Sequence, residues 1–176
     1  MSAQPQSISF ELTLALSELG KLCGKVLAHL ANQPAQHDNE GYVLLLRGEI
    51  GAGKTSFVKA LLEQEQVQNL AKPSDPSNPT AHIIGVQNVT SPTFSLAQSY
   101  ESALFGELHH YDLYRKSLEE MLSLGLLDML SLSGLHLIEW GDESLENLLR
   151  THGFRLGTIS IATAPDTHSR IYKVAL

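Results

Sequence analysis

Apolar residues along the chain follow two spacings. Leu12, Leu16, Leu19, Cys23, Val26, Leu27 and Leu30 recur every three or four residues, which predicts an amphipathic helix after an edge strand at Ser7 to Phe10. Tyr42-Val43-Leu44-Leu45-Leu46 is a short unbroken apolar run, as expected of a strand buried on both faces. Phe57, Val58, Leu61 and Leu62 return to helical spacing. Between the first helix and that strand, Ala31 to Glu40 is polar, holds Pro34 and reads as a loop.

Further along, Phe94, Leu96 and Gln98 suggest a strand, followed by a turn near Phe105-Gly106 and a second strand at Leu108 to Tyr111 that ends on Asp112. Leu118 to Leu130 reads as one helix with Leu118, Met121, Leu122, Leu126, Met129 and Leu130 on its apolar face. Leu135-His136-Leu137-Ile138 is another buried strand and delivers Glu139 and Trp140. Thr158 to Thr163 and Arg170 to Val174 form a terminal hairpin around the turn signal Ala164-Pro165-Asp166. The stretch of about residues 67–82 carries Pro73, Pro76 and Pro79 and is expected to be a mobile surface insertion.

Strands alternating with helices predict a parallel sheet covered by helices, in one domain spanning residues 1–176. In such sheets ligands bind beyond the carboxyl ends of the strands. Those ends carry the chemistry here. Gly48, Glu49, Ile50, Gly51, Ala52, Gly53, Lys54 and Thr55 read G-x-x-x-x-G-K-T between a strand and a helix, the pattern of a phosphate-binding loop, with Ser56 next in line. Glycines let the backbone turn its N–H groups toward phosphates, Lys54 can set an ammonium against them, and the Thr55 hydroxyl can ligate magnesium. The expected fold is therefore α/β, a P-loop NTPase-like three-layer sandwich with a mostly parallel central sheet and a C-terminal β-hairpin.

Such a loop needs an acidic partner on another strand. Glu139 fits as a magnesium ligand, or else is an exposed strand-end carboxylate. Asp112 is the second candidate, placed to orient an attacking water or to support the magnesium shell, or else a turn residue. Thr93, in Ser91-Pro92-Thr93, would be a switch-like loop residue; alone it is simply a turn. His109 and His110 are strand neighbours and point to opposite faces, one toward the core and one toward the site. His136, flanked by leucines, reads as a hydrogen-bonded interior histidine. Trp140 either stacks near a ligand or partner or packs under the rim.

Composition narrows the partners. Twelve Lys and Arg against 19 Asp and Glu give a net charge of −7, with no basic block, so direct binding of RNA or DNA is not expected. No apolar run approaches the ~20 residues of a membrane span, and the first residues lack secretory-signal features. Cys23, the single cysteine, reads as a buried helix residue and fits a reducing cytoplasm.

The phosphate loop, Val89-Thr90-Ser91-Pro92-Thr93-Phe94, His110-Tyr111-Asp112-Leu113-Tyr114-Arg115 and Leu137-Ile138-Glu139-Trp140 occur in that order. Together they resemble the bacterial TsaE (YjeE) family, the small ATPase of tRNA threonylcarbamoyladenosine biosynthesis, over about Tyr42 to Trp140. The resemblance implies ATP and magnesium as ligands, slow hydrolysis, and docking on a complex of TsaB and TsaD type proteins that itself handles the tRNA. Carried over by position, it implies Lys54 for phosphate, Thr55 and Glu139 for magnesium, Thr93 for the switch-like loop and Asp112 for hydrolysis. It leaves His110, Tyr114 and Arg115 without a role and supplies no adenine contact. Two other readings stay open: a small-molecule kinase, for which the chain shows no arginine-rich lid, and a non-catalytic nucleotide-sensing assembly factor.

Overall fold

Alternate residues of one strand face two different cores. In the computed structural model, which describes residues 7–33, 41–70 and 97–176 (only the backbone for 66–70), Tyr42–Arg47 forms strand β2. Its Leu44 and Leu46 pack into one hydrophobic cluster, and Val43 and Leu45 into another on the opposite face. All four are fully buried, which is why the run shows no polar alternation.

Counting β1 (Ser9–Ala15), β2, β3 (Ala97–Ser102), β4 (Gly106–Asp112), β5 (Leu135–Glu139), β6 (Arg155–Thr163) and β7 (Ser169–Ala175), one seven-stranded sheet runs in the order β1-β7-β6-β2-β5-β4-β3. Its centre, β6-β2-β5-β4, is parallel. The flanks are antiparallel: β7 and β1 on one side, β3 on the other. Helices α1 (Leu19–Ala31) and α2 (Lys54–Leu70) cover the Leu44 face; α3 (Leu118–Ser123), α4 (Leu126–Leu130) and α5 (Glu143–Thr151) cover the Leu45 face. Cys23 is buried in α1, as expected.

Four expectations are corrected. Leu12 lies not in a helix but in β1, where Phe10, Leu12 and Leu14 alternate against the core while the backbone pairs with β7. Leu16 sits in a 3-10 turn and is 64% exposed; the helix begins at Leu19. The segment Leu118 to Leu130 is two helices, broken at Gly125, whose φ of 79° is left-handed and ends the first helix. Helix α2 reaches Leu70, so residues 67–70 are helical and not part of a loop. The rest of the proline-rich stretch, Phe94, Leu96 and the Ser-Pro-Thr segment with Thr93, lie outside the described residues. Helix α5, absent from the pattern reading, is started by Asp142, whose carboxylate accepts from the Leu145 N–H at 2.8 Å.

A buried carboxylate ties α2 to the β3–β4 turn. Glu65, 3% exposed, accepts from the Ser102 hydroxyl at 2.6 Å and from the Leu104 N–H at 2.9 Å. Ser102 Oγ in turn accepts from the Phe105 N–H at 2.9 Å. Glu65→Ala is expected to lower the unfolding free energy, read by urea denaturation, by about 2 kcal/mol, because it strands two buried donors. Glu65→Gln keeps an acceptor oxygen and should cost less; equal losses in the two variants would contradict this account.

Candidate functional site

From β2 the chain turns through Gly48 to Gly53 into α2. Gly48 has a φ of 151°, and a Cβ there would collide with the Ile161 carbonyl of β6. Gly51, with φ of 76°, takes the left-handed conformation that only glycine adopts cheaply. These two positions make the loop tight. Its backbone is held by Ala52 N–H donating to Glu49 O at 3.1 Å and Phe57 N–H donating to Gly53 O at 2.9 Å.

Lys54 opens α2, and its side chain folds back over the loop. Nζ donates to the Gly48 and Glu49 carbonyls, each at 2.9 Å, and lies 3.5 Å from the centre of the Trp140 ring. The residue is 4% exposed. Burial pulls its ammonium below the usual lysine range, while the charges of Glu139 and Asp112 pull it up. An ammonium placed this way, with two carboxylates within electrostatic reach, sits where a polyanion and a cation can be held side by side.

Strands β4 and β5 end together, with Asp112 paired to Glu139 in the ladder. Glu139 is buried at 3% exposure. Its Oε1 accepts from the Thr55 hydroxyl at 2.7 Å and from His110 Nε2 at 2.9 Å. Because a carboxylate accepts, His110 carries its proton on Nε2. His110 Nδ1 is buried and has no hydrogen-bond partner among the described residues. Thr55 spends its proton on Glu139 and keeps its oxygen lone pairs, so a hydroxyl and a carboxylate oxygen stand together. That donor pair suits a hard divalent cation such as magnesium. Asp112 is half-buried, and its Oδ1 accepts from the Tyr114 N–H at 3.1 Å.

An open cleft of about 540 Å³ is lined by Ile50, Gly51, Gly53, Lys54, Thr55, Ser56, Asp112, Tyr114, Glu139 and Trp140. Most of the sequence-expected site residues therefore share one cleft. Gly48, Glu49 and Ala52 shape the loop behind it and do not line it; Thr93 is outside the described residues. Tyr114 and Trp140 rings lie 4.9 Å apart, and Arg115 sits over Tyr114 at 5.0 Å. Trp140 and Arg115 have φ of 68° and 60°, left-handed for residues that carry a side chain. Such conformations cost of order 1–3 kcal/mol each and persist only where the surroundings hold them.

Sequence reasoning left His110 without a role, and the structure gives it the bond to Glu139. The signal was available: His110 and Asp112 are two apart on a strand and share a face. His109 turns to the other face, where its ring stacks on His136 at 4.7 Å. His136 is the hydrogen-bonded interior histidine expected, bonded to the Tyr111 hydroxyl and the Leu132 carbonyl. Arg170, from β7, donates Nε to the Ala52 carbonyl at 3.2 Å and braces the loop from the far side; nothing in the local sequence pointed to it.

With this geometry in view, the comparisons with known proteins decide the family. The family model for threonylcarbamoyl adenosine biosynthesis protein TsaE matches residues 23–171. The chain belongs to the TsaE family. A relative from Rickettsia felis, a tRNA threonylcarbamoyladenosine biosynthesis protein TsaE, is 37% identical over 122 residues, which is 68% of this chain and 59% of the relative. The match thus spans less than two thirds of that relative's length. The TsaE of Rickettsia prowazekii is 36% identical over 117 residues, 65% of this chain and 67% of the relative. That of Aquifex aeolicus is 44% identical over 86 residues, 49% of this chain and 52% of the relative. The crystal structure of YdiB from Bacillus subtilis shares the fold, with a TM-score of 0.56 at 20% identity over 99% of this chain and 88% of the YdiB chain. The family takes its name from threonylcarbamoyl adenosine biosynthesis. Among its described residues no helix is long and apolar enough to cross a membrane.

Proposed function

We propose that this chain is the magnesium-dependent ATPase of tRNA threonylcarbamoyladenosine modification, a single P-loop domain of the three-layer sandwich type working in the cytoplasm on a complex of TsaB and TsaD type proteins. One observation carries the reading: Thr55, Glu139 and His110 form a hydrogen-bonded chain at the foot of a glycine loop that already holds the Lys54 ammonium. The family membership supplies the pathway.

In this reading ATP is the substrate, and its phosphates lie along the loop from Gly48 to Ser56. Lys54 neutralises phosphate charge from a position set by two backbone carbonyls. Thr55 and Glu139 hold magnesium, and His110 orients Glu139 by occupying one of its oxygens. The chemistry a magnesium ion would supply there is to offset the negative charge of the phosphates. Asp112, beside Glu139 at the rim, orients the attacking water, and Thr93 responds to the terminal phosphate. With a net charge of −7 and no basic stripe, the chain meets tRNA only through its partners.

The small-molecule kinase alternative calls for an arginine-bearing lid over the transferred phosphoryl group, and three of the arginines are engaged elsewhere. Arg47 and Arg150 are committed to Glu146, and Arg155 lies over Tyr42. The non-catalytic sensor alternative differs at one residue. Asp112→Ala is expected to leave Mg-ATP affinity unchanged and to lower turnover by about a hundredfold, measured as phosphate release with and without the two partner proteins. Undiminished hydrolysis in that variant would remove the role given to Asp112. Absence of any partner binding in ATP or in ADP would remove the proposed function.

A further inference from the structure

Arg47 is the last residue of β2 and directly precedes the glycine loop. It points to the same face as Val43 and Leu45, toward α5, and away from the loop it introduces. There its guanidinium meets three acceptors. Nε donates to the Gly141 carbonyl at 2.7 Å, and Nη2 donates to the Asp142 carbonyl at 2.9 Å and to Glu146 Oε2 at 2.8 Å. Glu146 lies on α5, the helix that Asp142 caps, so the acceptors belong to one rigid corner.

That corner follows Trp140, which needs support. Its φ of 68° is unfavourable for a residue with a Cβ. Its own N–H donates to Leu46 O at 3.1 Å, which fixes one side of the turn. At the next residue, Gly141, a Cβ would meet Leu45 Cδ2 at 2.8 Å, so a side chain there would displace the buried Leu45. The other side of the turn is held by the two carbonyls Arg47 binds. The ring so placed lies across Lys54 Nζ at 3.5 Å.

We propose that Arg47 is a positioning residue for Trp140: anchored on Glu146, it clamps the carbonyls after the indole and keeps the ring over the Lys54 ammonium, thereby setting nucleotide affinity. The second half rests on the reading of the cleft as a nucleotide site. A four-carbon lysine stem has much rotamer freedom, and a π face on one side with two carbonyls on the other removes part of it before a ligand arrives. A lysine in place of Arg47 has a single point charge and cannot span three acceptors.

Trp140 is the only tryptophan, so fluorescence excited at the red edge of the indole band, beyond tyrosine absorption, reads this ring alone. Arg47→Lys and Glu146→Gln are expected to shift Trp140 emission to longer wavelength and to raise its acrylamide quenching constant, with Mg-ATP binding weakened about tenfold, a loss of about 1.4 kcal/mol. Arg150→Ala removes the other cation on Glu146, bonded at 2.7 Å, without touching the turn, and should leave emission and affinity as in the wild type. Circular dichroism below each unfolding midpoint confirms that the variants compared are folded; should Arg47→Lys not fold, Glu146→Gln alone decides. Unchanged emission in the folded variants overturns the proposal. So does a shift in Arg150→Ala as large as in Glu146→Gln, or moved emission with unchanged affinity. If wild-type protein does not bind Mg-ATP at all, the nucleotide reading fails, while the emission measurements still decide whether Arg47 places the ring.

Discussion

Replacing Lys54 with alanine is expected to weaken Mg-ATP binding by about ten- to a hundredfold. A charge-assisted hydrogen bond contributes about 1.5–3 kcal/mol, and each 1.4 kcal/mol is tenfold in affinity. Lys54 is held in place by the Gly48 and Glu49 carbonyls and the Trp140 ring, contacts an alanine cannot make. The loss should exceed that of a mean surface ion pair, since the residue is 4% exposed and its ammonium is already held by two carbonyls. The variant also leaves two loop carbonyls without the Lys54 donor, so a modest loss of stability should accompany it. Titration calorimetry reads the affinity. Equal binding by wild type and Lys54→Ala would show that the loop is not a phosphate site.

Acidification should destabilise the protein through His136. The ring is fully buried, donates Nε2–H to the Leu132 carbonyl at 2.9 Å and accepts at Nδ1 from the Tyr111 hydroxyl at 3.0 Å. Burial, with the stacked His109 adding to it, pulls its pKa down to about 4 against the pull of the Leu132 bond; burial pushes Tyr111 up to about 12, so that hydroxyl keeps its proton. The folded pKa thus lies below the unfolded value near 6.5. Between the two, the unfolded chain binds the extra proton, so the neutral ring's contribution is complete above pH 6.5 and is lost as pH falls toward 4. The loss amounts to about 3 kcal/mol across that window, because each pH interval of one between the two values removes about 1.36 kcal/mol. Glu107 Oε2, 3.3 Å from His109 Nε2, is an exposed carboxylate at the start of β4. Urea unfolding of wild type and His136→Gln between pH 6.5 and 5, above the main carboxylate range, isolates the effect. Wild-type stability should fall with acid while the variant, less stable at neutral pH, stays flatter; parallel slopes would refute the assignment.

Legibility from sequence varied with how local each feature is. The unit β2, loop and α2 was readable because apolar run, glycines and helical spacing lie within about thirty residues, and each agrees with the next. The spacing predicts too long a first helix because Leu12 and Leu16 fit a helical period while Phe10, Leu12 and Leu14 fit a strand period. The strand won because β7 offers an edge to pair with, which the local pattern does not contain. Helix α5 was missed because only Leu145 and Leu149 of its nine residues are buried, too few to stand out, although Asp142 marked its start. The hairpin was placed correctly, yet β6 begins at Arg155 because it pairs along β2 from Tyr42 onward.

The residue types of the site were all in view: a glycine loop with its lysine and threonine, and acidic residues where apolar runs end. What the chain alone determined is this local chemistry, because a tight turn needs glycine and a strand buried on both faces needs unbroken apolar residues. Strand order decided the rest. It set Asp112 beside Glu139, brought His110 to the Glu139 oxygen that Thr55 also uses, and let Arg47 reach a corner 94 residues later in the chain. Those contacts join side chains that only a folded sheet brings within hydrogen-bond distance, and neither spacing nor composition encodes them.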